Sequence, residues 1–226
     1  MGGLAAARMR NMTLFDLVLS TRASLHPEGE PDEFISAYAG IIRAEGDDGV
    51  GHRVGRVHAY RVHMGLAANQ GESLFDVFDA HSQPMHDLYA ALFDPETDFF
   101  TEAIIRQFEA VDSDLLVLDY VVLNPRWRGL KLGLLAARRL VDLLGGGCGL
   151  VVSHIAPLRH EAHDMLRVPK SWLPWHKTEQ DRKQAVVKLR RHFRLMGFER
   201  IGRSCYYGLS LARLTPTLSD LLRPSR

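Results

Sequence analysis

The chain has 226 residues, 46% hydrophobic and 24% charged, which is typical of a globular protein that can bury a core of its own. Its 28 basic and 27 acidic residues give a net charge of +1, which argues against a partner recognised by charge alone, such as nucleic acid or an anionic membrane. Two cysteines are too few for a disulfide framework, and the sequence has no apolar run of ~18 residues and no signal peptide, so a cytoplasmic location is expected.

The N-terminal part of the chain predicts one helix followed by a hairpin. Residues 1–12 are expected to be poorly ordered, and residues 13–24 favour a short amphipathic helix over a strand. Residues 34–44 and 54–64 are rich in β-branched and aromatic side chains and predict two strands. Residues 45–49 have the Asp and Gly content of the turn between them.

Helical patterns occupy the next stretch of the chain. Ser73 is a candidate N-cap for a helix that runs to about Ser82, and Pro84 should break or restart it. The pair Asp94-Pro95 predicts the start of a further helix, because proline suits the first helical position.

A strand–helix–strand unit forms the clearest pattern in the sequence. Residues 115–123 are apolar apart from Asp119, as expected of a strand buried on both faces. A helix over 130–144 ends at three consecutive glycines, and residues 149–155 predict the next buried strand. This spacing implies a right-handed parallel crossover.

The C-terminal part predicts an irregular stretch over 156–178, a helix from Thr178 to Met196 and a final hairpin. The tail from residue 215 is expected to be loosely held. Several histidines lie in this part, but His160 and His163 have no cysteine or acidic partner at a zinc-ligand spacing, so no metal site is expected. The basic residues of the helix are interpreted as a solvated face, although some could reach a phosphate or, less in keeping with the net charge, nucleic acid.

The turn between the buried strand and its helix has the chemistry of an anion site. The first amides of a helix have no internal hydrogen-bond acceptor, and the helix dipole favours negative charge there. Arg128 and Lys131 add two positive charges beside these amides. A phosphate-bearing ligand is the expected occupant.

The same turn resembles motif A of the GNAT superfamily of acyl-CoA N-acyltransferases. The motif Arg/Gln-x-x-Gly-x-Gly/Ala corresponds to residues 128–133, in which Arg128 and Gly133 match and Lys131 stands where the family usually has glycine. The order of the flanking elements and the helix ending Met196-Gly197-Phe198 extend the resemblance over about residues 33–212. It implies a single GNAT-like α/β domain over residues 1–226, with a mixed, twisted sheet flanked by helices.

The resemblance also implies roles for particular residues. The backbone near Val121, Val122 and Leu123 would hold and polarise a thioester, and the cofactor's phosphates would lie against the next turn. The implied cofactor-binding residues of that turn are Arg128, Gly129, Leu130, Lys131, Leu132 and Gly133.

The acid and base are less well defined by the sequence. Asp119 is the candidate base, because a carboxylate in an apolar strand is costly unless it is paired or takes up a proton; the alternative is a carboxylate paired with an arginine or hydrogen-bonded to a loop. Phe193 occupies the position where many family members have a tyrosine acid, so Tyr206 is the candidate donor, with ordinary packing as its alternative.

The expected function is transfer of an acetyl group from acetyl-CoA to a primary amine of a small molecule or a protein. The alternative is a catalytically degenerate GNAT-fold protein that binds CoA or a protein partner. The identity of the amine, the preferred acyl chain and the oligomeric state, including a homodimer, stay open.

Overall fold

A computed structural model describes residues 14–22, 30–45, 51–111, 113–176 and 178–223. Within these ranges seven strands form one sheet in the order β1-β2-β3-β4-β5-β7-β6. The strands are β1 (Leu14–Thr21), β2 (Ile35–Glu45), β3 (Gly51–Val62), β4 (Asp114–Leu123), β5 (Cys148–His154), β6 (Glu199–Arg200) and β7 (Tyr206–Ser210). Only β4 and β5 pair in parallel among these strands. The expected mixed sheet of a single α+β domain is therefore confirmed.

Helices cover both faces of the sheet. In the described ranges they are α1 (Met64–Gln70), α2 (Leu74–His81), α3 (Gln83–Leu92), α4 (Glu102–Phe108), α5 (Leu132–Leu144), α6 (Glu179–Arg194) and α7 (Leu218–Leu222). Helices α1 to α4 share one buried cluster with Val117 of β4 and Val152 of β5. Helices α5 and α7 share the other cluster with Leu116 and Leu118 of β4. Apolar burial on two faces thus fixes β4 and β5 in the middle of the molecule.

The central elements begin and end close to where the sequence predicts them. Ser73 caps α2 by accepting a hydrogen bond from the Phe75 amide, and α3 restarts around Pro84. Thr178 and Asp181 form the predicted capping box at the start of α6. Helix α5 ends at Leu144, directly before the three glycines.

The predicted N-terminal helix is wrong, because residues 14–21 form the edge strand β1. Every residue of β1 is paired with β2, from Leu14 opposite Glu45 to Thr21 opposite Tyr38. Phe15, Leu17 and Leu19 alternate inward and pack against the α5 side of the sheet. Residues 1–12 and most of the 45–49 turn lie outside the described residues.

The helix predicted from Asp94-Pro95 is also wrong. Asp94 instead closes a turn, in which its amide donates to the Phe99 carbonyl and its carboxylate accepts from the Glu96 amide. The helix α4 begins only at Glu102. The Asp side chain satisfies the local amide in the turn and so competes with the helix.

The tail is better held than the sequence predicts. Thr217 and Asp220 form a capping box that starts α7, and Leu221 is buried against the α5 side of the sheet. Arg138 of α5 donates a hydrogen bond to the Thr215 hydroxyl. The described part of the tail therefore packs beside the start of α5, where the anion site is predicted.

Candidate active site

The parallel strands β4 and β5 separate part-way along their length. Their pairing ends at Leu118 opposite Ser153, where the Ser153 hydroxyl donates to the Leu118 carbonyl at 2.8 Å. Residues 119–123 of β4 continue with a strand partner on the β3 side alone among the described residues. The main chain of this stretch therefore borders a wedge that opens between the two strands.

A bulge in β4 lies where the wedge begins. His58 of β3 pairs with Tyr120, but the next residue, Ala59, pairs with Leu118, so Asp119 has no residue opposite it. An extra residue reverses the alternation of faces that follows it. Leu118 packs on the α5 side before the bulge, and Val121 and Leu123 pack on that side after it.

The predicted cofactor residues of β4 therefore divide between the two faces. Val121 and Leu123 lie under the start of α5, where a Cβ added to Gly133 would come no closer than 3.5 Å to either side chain. Val122 faces the other way and is buried with Trp172 and Leu173 of the irregular 156–176 segment. The three residues share the open main-chain edge and not a common side-chain pocket.

Five consecutive amides open at the start of α5. The Lys131 carbonyl accepts from the amides of both Leu134 and Leu135, but the amides of residues 129–133 donate to no acceptor among the described residues. Gly129 and Lys131 have positive φ angles of 81° and 59°, which turn the chain so that several amides converge. Such a nest of N–H groups at a helix N-terminus is a binding site for anionic oxygen.

The two positive side chains of this turn are already engaged, contrary to the expectation that they face a phosphate. Arg128 donates to the carbonyls of Leu123 and Trp172, and its burial lowers the pKa of the guanidinium. Lys131 donates to the carbonyls of Leu221 and Arg223 at 2.7 and 2.8 Å. In this structure the candidate anion site therefore consists of main-chain amides.

The backbone conformation of residue 131 explains why a glycine would suit this position. Its left-handed conformation costs an L-residue roughly 1 kcal/mol more than it costs glycine. The two hydrogen bonds from Lys131 to the α7 end offset part of this cost.

Asp119 lies at the mouth of the wedge and not in an apolar interior. Its side chain is 41% exposed, and Oδ2 is 3.0 Å from Nδ1 of His58. The expected burial of Asp119 is therefore wrong, because the bulge carries the side chain out of the core. The alternative interpretation, in which Asp119 pairs with an arginine, is also not what the structure shows, because its partner is His58.

His58 is a site residue that the sequence analysis did not identify. An ionised carboxylate can only accept, so Nδ1 of His58 is the donor, and in the neutral form of the ring Nε2 is an acceptor. No described residue is hydrogen-bonded to Nε2. The pairing of His58 with Tyr120 across the strands brings it to Asp119, and only the register of β3 on β4 could have predicted that.

Aromatic and imidazole rings surround this pair. The His58 ring stacks on Tyr120 and meets Tyr60 edge-on, with centroid distances of 5.5 and 4.7 Å. Burial, and then the charge of Asp119, raise the pKa of Tyr60 to about 12. Burial lowers the pKa of His81, which meets Tyr60 from α2. Tyr60 and His81 therefore stay uncharged at neutral pH.

His154 and Tyr206 line the opposite side of the wedge. Partial burial, and then Arg190 and Arg182, lower the pKa of His154, although its exposure to solvent screens this effect. The Tyr206 ring lies 5.8 Å from His154, and its hydroxyl donates to the Pro84 carbonyl at 3.2 Å. Burial raises the pKa of Tyr206 to about 12.

Phe193 has a packing role at the position that the family motif assigns to a proton donor. It meets Phe198 edge-on at 5.4 Å and lies against the α5-side core. A phenylalanine in these contacts contributes apolar area and no proton.

Two further properties concern the described part of the chain. No group of three or more His, Cys, Asp or Glu side chains there is arranged to hold a metal ion. No helix in those ranges is both long and apolar enough to cross a bilayer.

Comparison with protein-family models, with characterised proteins and with solved structures gave no match. The resemblance to the GNAT superfamily therefore rests on the residues of the motif and remains a prediction.

Proposed function

We propose that the protein is a GNAT-type N-acyltransferase that moves an acetyl group from acetyl-CoA to a primary amine. One observation carries the proposal: the unpaired amides of residues 129–133 and the open edge of β4 border the same wedge, whose mouth contains the His58–Asp119 pair. An anion site, an unpaired strand edge and a proton acceptor are what this reaction requires together.

The first two features suit the parts of a CoA thioester. Its pyrophosphate needs several hydrogen-bond donors, which the amides at the start of α5 would provide. Its pantetheine arm contains amide groups, which can pair with an unpaired strand edge as another strand would. The open edge over residues 119–122 offers such groups, with the apolar side chains of Val121 and Leu123 beside them, while the Leu123 carbonyl is taken by Arg128.

The His58–Asp119 pair would accept the proton of the amine. Asp119 fixes Nδ1 of His58 as a donor, so Nε2 takes up the proton while the amine nitrogen bonds to the acyl carbon. Main-chain N–H groups at the open edge of β4 would stabilise the negative charge that grows on the acyl oxygen. As the carbon–sulfur bond breaks, the thiolate leaves as the free thiol after it receives a proton.

His58 is a better source of that last proton than Tyr206. Burial raises the pKa of the Tyr206 phenol to about 12, so this group gives up its proton poorly at neutral pH. In this proposal His58 carries the proton from the amine to the thiolate. Tyr206 keeps its predicted place at the site as a hydrogen-bonding group.

The second candidate is a degenerate GNAT-fold protein that binds CoA or a protein partner without catalysis. It is favoured by the engagement of Arg128 and Lys131 with carbonyl oxygens and by the absence of a donor at Phe193. A cytoplasmic location, proposed from the two cysteines, suits either candidate.

Release of free thiol from acetyl-CoA in the presence of a panel of primary amines separates the two candidates. The enzyme should release thiol with at least one amine, whereas a binder should be stabilised and release none. Ligand at ~100 times its Kd adds about 2.7 kcal/mol, a shift of several degrees in the melting temperature of a domain this size.

A pair of glycine variants tests where the ligand binds. Gly133→Asp puts a negative charge among the amides in a place with room for a Cβ, and the helix dipole tolerates an acid there. Gly146→Asp puts the same charge beyond the other end of α5, where a Cβ would meet nothing within 4 Å. The proposal expects the acetyl-CoA shift to vanish in the first variant and to persist in the second; equal shifts would place the ligand elsewhere.

A further inference from the structure

One partly buried cationic group beside the proposed proton acceptor has no anion to pair with among the described residues. Arg56 lies two residues before His58 on β3, opposite Val122 of β4. Its Nε is buried with no hydrogen-bond partner, and none of the described carboxylates lies within ion-pair distance of its guanidinium. An unsatisfied donor on a charged side chain is costly, so a native structure usually supplies an acceptor for it.

The surroundings hold the Arg56 side chain in place. One terminal nitrogen donates to the carbonyl of Arg167 at 3.2 Å, which fixes the guanidinium against the 156–176 segment. The Tyr120 ring, which stacks on His58, lies within electrostatic reach of both Arg56 and Arg167. A held guanidinium with a free donor is suited to carboxylate or phosphate oxygen.

The distance between Arg56 and His58 limits the size of the ligand. Alternate residues of a strand point to the same face and have Cα atoms ~6.6–6.8 Å apart. A molecule whose amine is at Nε2 of His58 and whose anionic group is at Arg56 would therefore be short.

We propose that Arg56 forms an anion subsite for the acyl acceptor, so that the acceptor is a primary amine with a carboxylate or a phosphate within a few bonds of the amine. This inference rests on the proposed acyl transfer and names its substrate class. Asp119 provides the negative charge for the amine end, and Arg56 provides the positive charge for the other end.

Matched amine pairs test the subsite. Glycine, β-alanine and 4-aminobutyrate are each compared with the corresponding neutral amide, and phosphoethanolamine with ethanolamine; the last pair distinguishes phosphate from carboxylate. The wild-type protein should acetylate at least one charged member about 10- to 100-fold more efficiently than its neutral partner, through KM. Equal efficiency within every pair would overturn the inference.

Variants of two arginines in β3 test which side chain causes the preference for charged amines. Arg56→Gln should raise KM for the charged member by the same factor relative to its neutral partner and thus remove the preference. Arg56→Lys should retain part of it. Arg53→Gln is the matched control, because it removes the same charge from the same strand where the guanidinium lies over Trp172 at 5.3 Å. If the Arg56→Gln variant kept the preference for charged amines, Arg56 would not be the anion subsite, and its role would be to hold the 156–176 segment through the Arg167 carbonyl.

Binding gives a readout that does not require turnover. Ligand-observed NMR of the same pairs should show the charged member bound by the wild-type protein and released in Arg56→Gln, whether or not thiol is produced. Thiol release with equal use of charged and neutral amines would contradict the anion subsite at Arg56 and support the acyl transfer. Selective binding of charged amines without thiol release would support the subsite and contradict the acyl transfer.

Discussion

Two Asp–His pairs connect β4 to β3 or to the residue that follows β3, one at the first residue of β4 and one at its bulge, and they differ in how many of their hydrogen-bonding groups have a partner. At the amino end, Asp114 accepts from Arg61 at 2.7 Å and lies 3.2 Å from Nδ1 of His63, whose Nε2 is 2.8 Å from the Ser36 hydroxyl. At the bulge, Asp119 pairs with His58, and no described residue is bonded to Nε2 of that ring. The first pair has its bonding capacity used; the second keeps a nitrogen for a ligand.

The amino-end network has the order Ser–His–Asp, which serine hydrolases also use. Two features argue for a structural role here. Arg61 binds the same Asp114 oxygen as His63, and it also donates to the Leu144 carbonyl at the C-terminus of α5. The comparison indicates that unsatisfied groups mark function better than residue types do.

The largest effect on turnover should come from the His58–Asp119 pair. His58→Gln should lower turnover about 100- to 10,000-fold, the usual contribution of a general base, with a much smaller change in acetyl-CoA binding. The measurement is thiol release under saturating acetyl-CoA. His63→Gln is the control and should leave turnover of the folded protein unchanged; equal losses in both variants would end the distinction between the pairs.

The next effect should appear in stability and fall on the other pair. Asp114 is 16% exposed and has two partners, so Asp114→Asn should cost about 1–3 kcal/mol of unfolding free energy. Asp119→Asn, at a more exposed position, should cost about 0.5 kcal/mol or less. Urea unfolding of both variants checks the order, and a greater loss for Asp119→Asn would contradict it.

Ser36 offers a smaller test of the same network. Ser36→Ala removes one partly buried hydrogen bond and should cost about 1 kcal/mol, without loss of acyl transfer. A fluorophosphonate probe, which labels activated serines, should leave Ser36 unmodified. Stoichiometric labelling of Ser36 would show that the amino-end network is reactive after all.

The smallest effect concerns the dependence of the unfolding free energy on acid pH, to which His81 contributes. Burial lowers the pKa of His81, so the unfolded chain, with a pKa of about 6.5, binds more protons at mildly acidic pH. The contribution of His81 is therefore complete above about pH 6.5 and is lost as pH falls through its lower folded pKa. An NMR titration of the His81 ring checks the sign, and His81→Gln should flatten the fall in stability. A ring that titrates above 6.5 would contradict the assignment.

The sequence predicts correctly those elements whose residue pattern fits only one type of secondary structure. Residues 115–123 and 149–155 are short apolar runs, and the three glycines after residue 144 can only end a helix, so β4, α5 and β5 lie within a few residues of their predicted positions. Residues 14–21 satisfy both a helical and a strand period, and only their pairing with β2 decides between them.

The candidate site divides in the same way. The anion-binding turn is local, so glycine, basic residues and the start of a helix indicate it in the sequence. The His58–Asp119 pair depends on a bulge, and a bulge has no local signature at Asp119. The engagement of Lys131 by residues near position 222 depends on packing between segments about ninety positions apart, which no periodicity encodes.

Amide hydrogen exchange with and without acetyl-CoA tests the central claim most directly. The amides of residues 129–133 have no described acceptor, so in the free protein they should exchange quickly. Bound acetyl-CoA should slow their exchange together with that of residues 119–123, and Gly133→Asp should abolish both effects. Protection confined to other parts of the chain, with these two stretches unchanged, would contradict the account.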